Sequence, residues 1–171
     1  MPTPVGHALG GLAAAFLGSS TGRPVRMTPA VLWASAAIAV LPDLDILFGQ
    51  HRSYTHSIGA GALVAAVTWV LVRRSANAAS TTMIMTAAFS SHLLLDWLGK
   101  DTAPPGGLKL LWPFTSTYYV SGLDLFGEVS RRYWLPREFI AGNLGAVGWE
   151  VVTLLPLVLL TWVWWSRRTL R

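Results

Sequence analysis

The run GAVGWEVVTLLPLVLLTWVWW, residues 145 to 165, constrains this chain more than any other stretch. It carries one acidic residue in 21 positions, and as a helix it reaches the roughly 20 residues needed to cross about 30 Å of hydrocarbon. Four shorter apolar runs precede it, at residues 8 to 18, 29 to 42, 57 to 72 and 81 to 98. The first two are expected to be partial spans or helices buried against their neighbours, because a lipid-embedded chain must satisfy its backbone internally. Of the 171 residues 53% are hydrophobic and 12% charged, with a mean hydropathy of +0.48. This is the balance of a membrane protein. The expectation is an all-α, polytopic membrane bundle of about five apolar helices, a single domain over 1–171.

A net charge of +5 raises the question of nucleic acid, and the placement of the basic residues answers it. Arg23 and Arg26 follow the first run, Arg73 and Arg74 the third, and Arg167, Arg168 and Arg171 the fifth, with no acidic residue in any of these places. That is the pattern of cytoplasmic loops under the positive-inside rule. A basic face with interleaved aromatics on a soluble module is missing, so no nucleic-acid partner is expected. The start, MPTPVGHALGG, lacks the positive n-region of a signal peptide and is read as retained. The absence of cysteine excludes disulfides and thiolate ligands, so a bound metal would need nitrogen and oxygen donors.

If the five runs are five crossings, the arginine-bearing connections share one side. The N-terminus, residues 43 to 56 and the stretch 99 to 144 share the other. His7, Asp43, Asp45, His51, His56, His92 and Asp96 all fall on this second side or at helix ends facing it, and they include every histidine in the chain. The topology was assigned from arginines alone, so this convergence is independent of it. The positive-inside rule places the group away from the cytoplasm, as an inner (plasma) membrane protein of a prokaryote would have it. Lys100, Lys109, Arg131, Arg132 and Arg137 lie in the long 99 to 144 connection, and long loops follow the rule less strictly. Its Trp112, Phe114, Tyr118, Tyr119, Tyr133 and Trp134 suit the headgroup region, with one or two short interfacial helices expected.

His92 and Asp96 are four apart, which on a helix stacks imidazole and carboxylate on one face, able to bind one cation or each other. Asp43 and Asp45 follow Pro42, where alternating carboxylates can ligate metal or one can cap a helix starting at Leu44. His51 and His56, five apart, fit a loop followed by a helix start, with Thr55 or Ser57 as its cap. Arg52 suits a phosphate or carboxylate substrate, or an ion pair with Asp43 or Asp45. His7 opens the first run. Glu150 lies near the start of the fifth, as a supporting partner, a distant ligand or an ion-pair partner. Imidazoles with carboxylates suit zinc, and also manganese or iron(II).

His7, LPDLD at 41 to 45, HRSYTHS at 51 to 57, SHLLLD at 91 to 96 and LWPF at 111 to 114 together resemble the DUF457 family of inner-membrane metal-dependent hydrolases, which includes a LexA-regulated member. That family is similar to zinc-dependent phospholipase C and S1/P1 nuclease, helical phosphodiesterases in which an early His, an Asp, a further His and an HxxxD pair bind zinc. The resemblance implies a similar helical core and makes His7, Asp45 or Asp43, His56 or His51, His92 and Asp96 the matching positions. The soluble enzymes hold three zinc ions with additional histidines, a late HxxxE and the N-terminal residue. Here there is no fifth histidine, and Ala146 stands four before Glu150, so one or two ions are expected.

The resemblance and the spacing together make His7, Asp45, His56, His92 and Asp96 the expected metal ligands and Asp43, His51 and Arg52 the expected catalytic group, with the members of the Asp and His pairs interchangeable. The expected activity is hydrolysis of a phosphoester in a lipid or lipid-linked substrate at the membrane interface. The alternative is a transporter or sensor that binds a divalent cation without chemistry.

Overall fold

The computed structural model describes residues 1–19, 25–49, 52–130 and 134–169. Two helices begin with the same signal. Thr3 accepts hydrogen bonds from Val5 and Gly6 N–H at the start of α1 (Pro4–Gly18), and Thr28 accepts from Val31 N–H at the start of α2 (Pro29–Val40). In each, the Thr oxygen meets an orphan donor while proline occupies the first helical position, where its missing N–H costs nothing. Beyond Val40 the chain tightens into a 3-10 helix, Leu41–Phe48, with Pro42 in its first turn. A proline ring clashes with the carbonyl four residues back, so Pro42 disfavours continued α geometry. Gly49 ends the segment at φ 70°, a left-handed conformation that glycine adopts without penalty.

Ser57 caps α3 (Ile58–Val72), its Oγ accepting from Ala60 N–H at 3.1 Å. Then come α4 (Ala78–Leu98) and α5 (Pro136–Thr169). Helix α4 packs against α1, α2 and α3, and α1 also against α2 and α5, so α4 and α1 form the centre. At Gly11 an added Cβ would lie 2.5 Å from Ala39 Cβ and 2.9 Å from the Ser35 carbonyl, so glycine lets α1 and α2 touch backbone to backbone. Ala15, Ile84 and Met85 fill one core cluster, Phe89, Leu93 and Leu108 another, and Leu95, Phe126 and Leu154 a third.

Outer faces stay apolar. Leu63, Val67, Val70 and Leu71 on α3, and Val152, Leu160 and Trp162 on α5, are exposed, which suits hydrocarbon as the surrounding solvent. Among the described residues three helical stretches are long and apolar enough to cross a membrane: Pro29–Leu47 with 19 residues, Ala78–Leu98 with 21 and Pro136–Arg168 with 33. The sequence pattern had given that length to the fifth run alone. The second run gains by continuing through Pro42 as 3-10 helix, and the fourth because Ser80 and its neighbours Ala78 and Ala79 are already helical. Helices α1 and α3, each 15 residues, are the shorter apolar ones.

The connection between α4 and α5 corrects the expectation of interfacial helices. Among its described residues it forms turns and two isolated bridges, Gly99 with Phe126 and Leu108 with Tyr119. Pro104, Pro105, Gly106, Gly107, Pro113 and Gly122 interrupt it too often for an i to i+4 ladder to form. It is nonetheless anchored, since Ile58 N–H donates to the Leu110 carbonyl at 2.9 Å and Gly59 N–H to that of Trp112 at 3.0 Å. Phe114 and Trp134 are exposed on it, as aromatic side chains of a headgroup-level segment would be.

Candidate metal centre

The start of α1, the 3-10 helix after α2, the turn before α3 and the end of α4 meet at one end of the bundle. There His7, Asp43, His92 and Asp96 each present a ligand atom, all within 4.8 Å of one another. His7 Nε2 lies 3.2 Å from Asp96 Oδ1 and 3.8 Å from Asp43 Oδ2. His92 Nε2 lies 3.2 Å from Asp96 Oδ2 and 3.8 Å from Asp43 Oδ1. His56 joins from the turn, its Nε2 3.4 Å from Asp96 Oδ2 and 3.5 Å from Asp43 Oδ1. The His7 and His92 rings stack, and His56 stands edge-on to His92.

All three imidazoles are fully buried and Asp96 is 1% exposed, whereas the Asp43 side chain is 22% exposed and marks where the group opens outward. Among the described residues, the Asp96 oxygens and the Nε2 atoms of His7 and His92 have only one another and His56 within reach, at 3.2 to 3.4 Å, with no hydrogen bond to any further group. Burying a carboxylate without donors costs several kcal/mol, on the order of the penalty for any unpaired buried ion. A divalent cation at the convergence would supply the missing partner.

At His92 a hydrogen bond behind the ring selects the tautomer this requires. His92 Nδ1 lies 2.7 Å from the Ala39 carbonyl, which can only accept, so Nδ1 carries the proton and Nε2 keeps its lone pair. Behind His56, Asp45 Oδ2 stands 3.2 Å from Nδ1 and also accepts from Thr55 Oγ1 at 2.6 Å and from the Arg52 N–H at 3.0 Å. Burial would lower the pKa of His56, which lies outside the helices, but hydrogen bonds to Asp43 and Asp45 and the Asp96 charge raise it to about 9. The surroundings of His56 therefore favour positive charge.

Asp43 and Asp45 part company because they stand two apart on a 3-10 helix: at three residues per turn their side chains leave about 120° apart, on different faces. Asp43, read from the sequence with the catalytic group, stands among the convergent donors. Asp45, read as a ligand, stands behind His56. Arg52 pairs through its guanidinium with Asp101, not with Asp43 or Asp45, and its backbone is left-handed at φ 65°, which turns its N–H to Asp45. Asp101 is held below the usual carboxylate range: burial opposes this, but Arg52 and the Gly107 and Ala103 N–H groups outweigh it. His51 lies outside the described residues.

Among the described residues Glu150 makes no ion pair with a basic side chain. Its carboxylate accepts from Thr3 N–H at 2.6 Å, Thr3 Oγ1 at 2.5 Å and Gly6 N–H at 3.1 Å, so it closes the N-terminus of α1 one residue before His7. Helix N-termini attract anions through their orphan donors. A Cβ on Gly6 would lie 2.7 Å from Glu150 Oε2, so glycine there permits the approach. The roles of Thr55, Thr3 and the Ala39 carbonyl had no sequence signal, being set by contacts between distant segments.

Comparison with known proteins places the chain. The inner membrane protein YbcI of Escherichia coli (strain K12) is 29% identical over 185 residues, covering 98% of this chain and all of the relative. No solved structure matches. The family model described as YdjM inner membrane protein matches residues 1–170. With its long apolar helices and its buried His/Asp group capable of holding a metal ion, the chain is an inner membrane protein and belongs to the YdjM family.

Proposed function

We propose that this protein is a membrane-embedded, metal-dependent hydrolase that cleaves a phosphoester in a lipid or lipid-linked substrate at the membrane face away from the cytoplasm. The observation that carries it is the convergence of three buried imidazoles and two carboxylates from four segments, with the His92 tautomer set so that its lone pair faces the group. His7, His56, His92, Asp43 and Asp96 would hold the ion. Their all-nitrogen-and-oxygen donor set suits zinc, or manganese or iron(II). A bound divalent ion supplies Lewis acidity and acidifies water near neutral pH.

The chain's own residues supply position and access. Asp45 and the Ala39 carbonyl orient two rings, and Glu150 fixes the helix end that carries His7. Asp43, partly exposed, stands where a headgroup would arrive. Leu44 and Leu47 on the same 3-10 helix are exposed and apolar, which suits acyl chains beside a polar reaction site. Because Arg52 is engaged by Asp101, the task of holding the substrate's anionic group passes to the metal. The zinc-dependent phospholipase C likeness of the sequence motifs supports the phosphoester class.

One observation favours the alternative of a divalent-cation transporter or sensor: the span Pro29–Leu47 changes from α to 3-10 geometry as it reaches the site, and transporter sites use interrupted helices. The residues' place at helix ends favours the enzyme. The test is incubation of detergent-purified protein and its His92→Ala variant with mixed phospholipids and zinc or manganese, following headgroup or phosphate release by mass spectrometry. Metal-stimulated release by wild type, lost in the variant, is expected. Stoichiometric metal without turnover contradicts the hydrolase and leaves the transporter or sensor.

A further inference from the structure

The metal reading above treats the cluster as one site, and the geometry of its rings goes further. His7 and His92 stack at 3.8 Å between centroids with their planes only 23° apart. An imidazole lone pair lies in the plane of its ring, so two nearly parallel rings aim their lone pairs side by side. The rings are stacked, so a single ion shared by both would lie out of the plane of each, off its donor direction. Two ions, one in front of each ring, would keep both donors in plane, as in sites where two metals sit close together.

The carboxylates divide in the same way. Asp96 turns Oδ1 to His7 Nε2 at 3.2 Å and Oδ2 to His92 and His56 Nε2 at 3.2 and 3.4 Å. Asp43 turns Oδ2 to His7 at 3.8 Å and Oδ1 to His56 and His92 at 3.5 and 3.8 Å. Each carboxylate therefore offers one oxygen to the His7 side and the other to the His56/His92 side, as bridging carboxylates do.

We infer that the cluster is a dinuclear centre, with His7 serving one ion, His56 and His92 the other, and Asp43 and Asp96 bridging them. The inference rests on the cluster binding metal at all, and the test separates the two. The full chain, stripped with chelator in detergent, is titrated with manganese(II) and followed by calorimetry and electron paramagnetic resonance. Two ions per chain with an exchange-coupled spectrum are expected, and His7→Ala, checked for folding by circular dichroism, should bind one ion with an uncoupled six-line signal. Saturation of wild type at one ion, or two ions without coupling, overturns the dinuclear inference while leaving a metal protein. Absence of any binding overturns this inference and the metal reading beneath it.

Discussion

His92 donates its Nδ1 proton to the carbonyl of Ala39 across 2.7 Å, tying the end of α4 to the end of α2. One bond does two things. It satisfies a carbonyl where α2 tightens into 3-10 helix, and it orients a buried imidazole with its bare nitrogen toward Asp96 and Asp43. Behind His56, Nδ1 meets Thr55 Oγ1 at 3.0 Å and Asp45 Oδ2 at 3.2 Å. Two of the three imidazoles are thus held from behind by the fold.

Asp45 is the sharper probe of that support, because it stands behind His56 without facing the convergent group. Asp45→Asn should weaken metal affinity by about 10–100-fold while leaving stoichiometry intact. Competition against a chromophoric chelator measures it. Unchanged affinity would remove the supporting role, and loss as complete as in Asp96→Ala would make Asp45 a ligand.

Glu150 should matter to the site although it is not among the convergent donors. Glu150→Ala leaves the Thr3 N–H, Thr3 hydroxyl and Gly6 N–H without their acceptor. A loss of about 2–3 kcal/mol in unfolding free energy is expected from such orphaned buried donors, together with weaker metal binding through His7. Glu150→Gln should recover part of both. Denaturant unfolding in detergent micelles tests the first, and a change under about 0.5 kcal/mol, the usual scatter of surface substitutions, would contradict it.

The Arg52–Asp101 pair makes a pH prediction. Folding lowers the Asp101 pKa, so its stabilisation is fully present above the unfolded-state value and is lost as pH falls through the folded-state one. Asp101→Asn should therefore melt below wild type at neutral pH, and the gap should close in acid. Tryptophan-fluorescence melts across pH read this directly. A gap that stays constant into strong acid would show that the pair contributes nothing through ionisation.

Much of this architecture was legible from residue types and spacing. Apolar runs located the helices, and the four-residue step from His92 to Asp96 placed both on one face because helical periodicity is local. What spacing could not decide was which of Asp43 and Asp45 faces His92. That depends on which face of the 3-10 helix packs toward α4, a tertiary relationship that the alternation of the two carboxylates does not carry. Arg52 and Asp101, 49 residues apart, and Glu150 and Thr3, 147 apart, were equally hidden. Such pairs exist only once the bundle brings remote segments together. The interfacial helices expected in the 99 to 144 connection do not form between α4 and α5 among the described residues, because prolines and glycines there interrupt the helical ladder that the aromatic content suggested.

Elemental analysis of the full-length protein purified in detergent, side by side with Asp96→Ala, is the most direct test of the metal centre. Wild type should carry at least one zinc, manganese or iron ion per chain, and the variant should lose it while remaining folded. Metal-free wild type after exposure to zinc and manganese, or a variant that keeps its metal, would contradict the account.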